Sequence, residues 1–354
     1  MKSYLFFIWF LFFAALKAQD LHFSQFNENP SLINPALTGV NGMRASVNHK
    51  NQWRSITTPY TTIGTSFEMR NSAVKKKAGG NLENTPATER IPGKFAAGIS
   101  IYRDRAGDGR LLLTQANLNL ATFLKTGEKS EISFGVQTGY ATRRIDNTNF
   151  VFPNQYSSTG YDPDINSGEN FAGDKFRYLD LGTGLLWSYA DEERGIKDHK
   201  EVKAHIGFSA YHLTTPQQKY LSQKTDKVPM KFVAHGDVLF SIKNSRTAIM
   251  PAYLVQFQGK HLEILAGGMF RYYMKNDTRY TGYIKRNILG LGVYYRNNDA
   301  AIISALLEWQ EQYAIGLSYD VNISGLAKVS KVRGGLELTL RYSAANGFLY
   351  QKMK

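Results

Sequence analysis

The feature that most constrains this chain is a period of two. From Met43 onward, apolar residues alternate with small or polar ones over stretches of about ten residues, and turn residues separate the stretches. In "ISFGVQTGY", Ile132, Phe134, Val136, Thr138 and Tyr140 lie on one side; Ser133, Gly135, Gln137 and Gly139 lie on the other. "QANLNLAT" sets Ala116, Leu118 and Leu120 against Gln115, Asn117 and Asn119. "YAIGLSYDV" and "LELTLRY" repeat the pattern, with Leu317 and Leu338 on the oily side and Ser318 and Glu337 on the other. Such alternation specifies strands with one apolar face and one polar or crowded face.

There are 14 such segments between residues 43 and 344, and turn pairs such as Thr126-Gly127, Gln258-Gly259 and Asn297-Asn298 separate many of them. Strands of soluble sandwiches average about 5–6 residues, whereas a tilted membrane strand needs about 9–11. Most segments here reach the longer value. Aromatics cluster near the ends of the oily faces (Tyr140, Trp187, Tyr189, Trp309, Tyr319, Tyr342), as an interfacial girdle requires. The opposite faces carry Glu68, Lys203, Glu263, Arg271, Glu308, Glu337 and Arg341, too many charges for a dry core. The predicted fold is all-β: a transmembrane antiparallel outer-membrane β-barrel of about 14 strands over residues 43–354.

The start of the chain agrees with export. Lys2, an apolar run from Tyr4 to Leu16 and then Ala18 have the layout of a secretory signal peptide over residues 1–18. The run falls short of the roughly 20 apolar residues of a spanning helix. Cleavage after Ala18 makes Gln19 the first mature residue. The absence of cysteine excludes disulfide stapling, thiolate zinc sites and iron–sulfur centres, and it excludes an acylated lipoprotein. The net charge of +14 is spread along the chain, with one tight run at Lys75–Lys77. For an exported protein this suits anionic headgroups or acidic proteins rather than nucleic acid.

Residues 19–42 precede the first strand and contain "HFSQFNENPSLINPALTG". Pro30 and Pro35 forbid a regular helix or central strand there, yet Phe23, Phe26, Leu32, Ile33 and Leu37 need burial. This predicts an irregular N-terminal segment tucked into or against the periplasmic mouth, as a plug or docking element. Its candidate partner-binding residues are His22, Phe23, Phe26, Asn29, Pro30, Asn34 and Pro35. With both termini periplasmic, parity places the polar loops 145–175 and 214–227 outside the cell. It places a long Lys/Gly/Pro-rich loop, 71–93, in the periplasm.

The opening stretch, followed by "NQWRS" and "PYTTIGTSFE", resembles the N-terminal signature of the PorP/SprF family of type IX secretion system proteins. "ILGLGVYYRNNDAAIISALLEWQEQYAIGLSYDVNIS" and "GGLELTLRY" resemble that family's C-terminal signature. The resemblance implies an outer-membrane barrel that works in export of surface proteins and, in gliding bacteria, in display of motility adhesins. It implies association with the periplasmic and outer-membrane components of the machinery. It also implies recognition of the C-terminal sorting domain of a secreted partner by some members.

No catalytic, cofactor-binding or metal-ligating residues are assigned. His205 lies beside Lys203 and Ser209, and His235 shares a face with Asp237, but no nucleophile, base and orienting group can be named together. "DPDINSGE" offers Asp162, Asp164, Asn166 and Glu169 without the spacing of a calcium loop. Three functions remain: a non-enzymatic type IX barrel that scaffolds or recognises a substrate, a passive porin-like channel, and a barrel enzyme. What fills the lumen separates the first two.

Overall fold

The computed structural model describes residues 23–53, 58–76, 88–107, 111–145, 150–158, 160–169, 175–194, 199–218, 226–243, 245–274, 287–325 and 332–344. The signal-peptide region and His22 lie outside the described residues. Fourteen antiparallel strands close into one barrel. They are β1 (Met43–Gln52), β2 (Tyr60–Lys76), β3 (Thr88–Ala106), β4 (Leu111–Lys125), β5 (Ser130–Arg144), β6 (Lys175–Arg194) and β7 (His199–Tyr211). The second half comprises β8 (Lys231–Ser241), β9 (Thr247–Gln258), β10 (His261–Met274), β11 (Asn287–Arg296), β12 (Ala300–Trp309), β13 (Tyr313–Asn322) and β14 (Arg333–Ala344). Each alternating segment read from the sequence corresponds to one strand. Among the described residues no helix is long and apolar enough to cross a membrane.

Closure joins β1 to β14, from Met43↔Ala344 to Gln52↔Gly335. Both ends of the barrel chain therefore lie at one rim, called here the terminal end; the opposite rim is the loop end. The long connections 145–174 and 212–230 fall at the loop end, as extracellular loops of bacterial barrels do. The first contains a turn at Pro153–Gln155 and a short hairpin pairing Tyr156 with Tyr161. The second pairs Gln217–Gln218 with Asp226–Lys227.

The two faces separate as the alternation requires. Leu118, Phe134, Leu317 and Leu338 are 41–48 % exposed on the outside, whereas Gln137 and Ser318 are buried on the inside. Tyr140, Trp187, Trp309 and Tyr319 are exposed. The inward charges are not left in an open aqueous bore. Glu68, Glu263, Glu308 and Glu337 are buried, and Arg296 is 1 % exposed. The interior is polar but packed.

Of the segment 71–93, expected as a loop, residues 71–76 and 88–93 are strand. β2 and β3 stay paired from Ser72↔Pro92 to Lys76↔Thr88, beyond a bulge between Arg70 and Ser72. A ladder costs less than a long unpaired loop, because it satisfies backbone groups that a loop must leave to water.

The packed interior changes what the two faces tolerate. Leu317→Arg, on the lipid side, is expected to cost ~2–4 kcal/mol near the midplane. Ser318→Arg is expected to cost about 1–3 kcal/mol by overpacking. Leu317→Phe should be close to neutral, while Ser318→Phe should not. Denaturant titration of the folded, heat-modifiable form in lipid vesicles measures all four. Equal sensitivity of the two positions to Phe would refute the facing.

Candidate functional site in the barrel lumen

Residues 23–42 run through the inside of the barrel. The two Asn-Pro steps organise this path. Asn29-Pro30 starts one helical turn, Pro30–Ile33, and Asn34-Pro35 starts a 3₁₀ turn, Pro35–Leu37. Proline suits the first helical position because its missing N–H would have no intrahelical partner. The Asn34 side chain caps the second turn by accepting the Ala36 N–H at 2.8 Å. The prolines thus permit single turns where a longer helix was excluded.

The segment begins towards the loop end. The Ser24 hydroxyl donates to Asp320 at 2.8 Å and accepts from Arg296 at 2.9 Å and Lys50 at 3.2 Å. The Ser24 and Gln25 N–H groups donate to the two carboxylate oxygens of Glu337, at 2.7 and 3.1 Å. Arg296 is the last residue of β11, and Lys50 and Asp320 lie close to the loop-side ends of β1 and β13. The chain then descends. Glu28 receives Arg44 and Arg341, each at 3.0 Å, near the terminal end. Arg341 also pairs with Glu308 at 3.2 Å, and Glu308 with Arg271 at 2.6 Å. One ion-pair ladder therefore runs from β10 through β12 and β14 to the segment and β1.

The segment next crosses to the far wall. Leu32 packs against Tyr102, Leu113, Ala141 and Tyr178. The Ile33 carbonyl accepts the Ser209 hydroxyl at 2.6 Å. Asn34 donates to the carbonyls of Leu185 and Phe208, at 3.0 and 3.2 Å, and lies 3.0 Å from His235 Nε2. Glycines on the wall make room. A Cβ on Gly135 would lie 2.3 Å from the Ala36 nitrogen, and one on Gly184 would lie 1.9 Å from the Asn34 amide oxygen. The segment descends again past Ser133, which donates to Ala36 at 2.8 Å, and Gly42 accepts the Arg70 N–H as β1 begins.

Phe23, Phe26, Asn29, Pro30, Asn34 and Pro35 are all buried against the barrel wall. Phe26 meets Tyr294 edge-on, with centroids 6.1 Å apart. Asn29 accepts from Asn48. The structure brings these six into one lumenal path rather than onto a free surface. The residues that hold the path, Ser24, Gln25 and Glu28 with Lys50, Arg296, Asp320 and Glu337, were not singled out as a site from the sequence. Charges at inward positions near strand ends were the available signal. His205 pairs with Asp237 at 3.0 Å, and Lys203 pairs with Glu201. Among the described residues no group of acids and histidines could hold a metal ion. Asp162 and Asn166 instead accept backbone N–H groups within their own loop.

The path is eccentric. Between it and strands β7–β12 remains a cavity of ≈190 Å³, lined among others by Phe26, His205, Met269, Arg271, Tyr273 and Glu308. Glu311 and Ser343 line it at the terminal end.

The model of the type IX secretion system membrane protein PorP/SprF family matches residues 15–342, which takes in the lumenal segment and the barrel up to the last two residues of β14. The chain belongs to the PorP/SprF family. No curated protein sequence matches this PorP/SprF chain significantly. Among solved structures it is similar to the toluene transporter TodX of P. putida, with 9 % identity and a TM-score of 0.43; the match covers 89 % of this chain and 94 % of that one. It is similar to the monoaromatic hydrocarbon channel CymD, with 10 % identity and a TM-score of 0.42, covering 91 % and 94 %. It is also similar to the KdgM porin, with 8 % identity and a TM-score of 0.36, covering 85 % and 99 %. The PorP/SprF chain is thus an outer-membrane barrel component of the type IX system.

The hold on the segment is measurable because the chain lacks cysteine. Ala36 is fully buried, so Ala36→Cys should resist a water-soluble thiol reagent. Adding Asn34→Ala removes buried hydrogen bonds worth about 1–3 kcal/mol, and labelling should rise roughly ten- to a hundredfold. Rapid labelling of Ala36→Cys alone would contradict the lumenal path.

Proposed function

We propose that this protein is a non-enzymatic, internally plugged barrel that scaffolds type IX secretion machinery in the outer membrane. It serves a secreted surface protein or gliding adhesin that carries a C-terminal sorting domain. The observation that carries this reading is the occupied lumen. Residues 23–42 run through the bore, and Ser24 joins charges on β1, β11, β13 and β14. A porin needs a continuous aqueous path; a scaffold needs a rigid barrel with surfaces at its ends. The remaining ≈190 Å³ cavity holds a few side chains and not a folded domain, so a sorting domain would be met at the terminal end.

The proposed partner-binding role of His22, Phe23, Phe26, Asn29, Pro30, Asn34 and Pro35 takes a definite form here. A partner that touches the described six must enter the lumen or draw the segment out. Export through a signal peptide cleaved after Ala18 belongs to the same reading.

Two measurements test it. In planar lipid bilayers the purified full chain should give no sustained open conductance, and variants that release the segment should give discrete openings. In native membranes the full chain should co-purify with identified components of the type IX machinery. Stable large conductance from the intact protein would favour the porin reading, and absence of any type IX component from the purified complex would remove the scaffold.

A further inference from the structure

Five cations face outward at the loop end of the barrel, where the lipid-facing surface stops. Arg103 and Arg105 lie at the end of β3, Arg144 ends β5, and Lys175 and Arg177 open β6. All five are exposed. Alternation sets them on the same face as Ile101, Tyr140 and Leu179, which are exposed on the lipid side just below. The register makes the cations neighbours. Arg144 stands directly opposite Lys175, and Arg177 opposite Thr142. Across β4, Arg105 meets Leu112 and Arg103 meets Thr114, and these two residues face Arg144 and Thr142 in turn.

Like charges directly opposite one another destabilise a sheet. Among the described residues no ion pair relieves these five, and no acid shares their face on β3–β6 at this end. Asp104 and Asp180 belong to the inward face, where they meet Thr62 and His212. The cluster is also local. Outward positions near the loop end on the other side of the barrel include Phe232, Phe257, Leu262, Tyr295 and Leu336, exposed and uncharged.

A long basic side chain at the lipid boundary reaches the headgroup layer, and a guanidinium takes phosphate through paired N–H donors. The cations form two groups, Arg103 with Arg105 and Arg144 with Lys175 and Arg177. Two strand spacings, about 10 Å, separate them. The single phosphate of a phospholipid meets one group. A headgroup with phosphates at both ends of a sugar core meets both, and Thr114 and Thr142 lie between to hydrogen-bond the sugar. With the loop end outward, such a headgroup belongs to the outer leaflet.

We propose that the outward face of β3–β6 at the loop end binds the phosphorylated sugar headgroup of an outer-leaflet glycolipid of the lipid A class. Its acyl chains lie along Ile101, Tyr140 and Leu179 below. The site uses only the outer surface of the barrel and is independent of the scaffold reading.

The test uses the full chain in phosphatidylcholine nanodiscs doped with bisphosphorylated lipid A, read by native mass spectrometry. The intact chain should retain lipid A as an adduct, and should retain the dephosphorylated form at least tenfold less. Arg144→Gln with Arg177→Gln should lower retention at least tenfold, whereas Arg144→Lys with Arg177→Lys should keep most of it. Lys125→Gln with Lys243→Gln removes two exposed cations at the terminal end and should leave retention unchanged. All variants should stay heat-modifiable, because the substituted side chains lie outside the packed lumen. Equal retention of the two lipid forms, or undiminished retention by the Arg144→Gln, Arg177→Gln chain, overturns the proposal. It is equally overturned if, in chains purified from the native outer membrane, these substitutions remove a phospholipid or a protein instead of the glycolipid.

Discussion

A closed barrel in a bilayer gives its charges nowhere to go but inward, and every charge turned inward must be matched there. This constraint governs the molecule. Many of the matching groups come from the wall itself, as in Arg70 with Glu131 and Arg271 with Glu308, and residues 23–42 add others. Around Ser24, Lys50 and Arg296 meet Asp320, and Glu337 takes two backbone N–H groups. Glu28 plays the complementary part for Arg44 and Arg341. Buried pairs of this kind add little net stability when intact. Removing one partner is different, because a stranded buried charge costs about 3–5 kcal/mol. The segment is therefore more than filler: Ser24, Gln25 and Glu28 are electrostatic partners of the wall.

The shape of the segment follows from the same need. A regular helix would satisfy its own backbone and leave the wall charges alone. A fully extended strand would offer its backbone but could not turn twice within the bore. Asn-Pro steps give single turns separated by extended residues, so Ser24, Gln25, Ile33 and Ala36 can all lend backbone groups to the wall. Glycine at positions 135 and 184 lets the wall accept that backbone at close range. Apolar anchors complete the fit: Phe26 and Ile33 belong to one buried cluster with Tyr294 and Leu254, and Ala36 and Val40 to another with Leu186 and Phe123. Full burial of a large apolar side chain is worth about 1.5–3 kcal/mol, enough to offset part of the ordering cost.

The barrel was legible in the sequence because a lipid exterior imposes a strict period of two, and Leu118, Phe134, Leu317 and Leu338 obey it without exception. The need of Phe23, Phe26 and Leu32 for burial was legible for the same reason. The path was not. Which wall charge meets which segment atom depends on strand neighbours distant in the chain, such as Ser24 with Asp320 and Asn34 with His235. The packed lumen was also hidden, since alternation reports only that a face is polar, not whether water or protein fills it. The extension of β2 and β3 through 72–76 and 88–92 was missed because the Lys-, Gly- and Pro-rich composition of 71–93 read as loop chemistry, while the ladder is set by cross-strand pairing.

The segment also bears on how the barrel closes. The seam between first and last strand is the one contact that cannot form until the rest of the sheet exists. Residues 24–29 lie across this seam on the inside. Ser24 reaches Lys50 of β1 and Glu337 of β14, Glu28 reaches Arg44 and Arg341, and Asn29 meets Asn48, which itself accepts from Thr339. A slip of one residue between β1 and β14 would turn the seam residues to the wrong face. It would also carry Lys50, Asn48 and Arg44 away from their partners in the segment. Register at the seam and seating of the segment are thus one condition, met together or not at all. Because Gly42 hands the chain from the segment to β1 beside Arg70, the same condition reaches the β2–β3 pair at the terminal end.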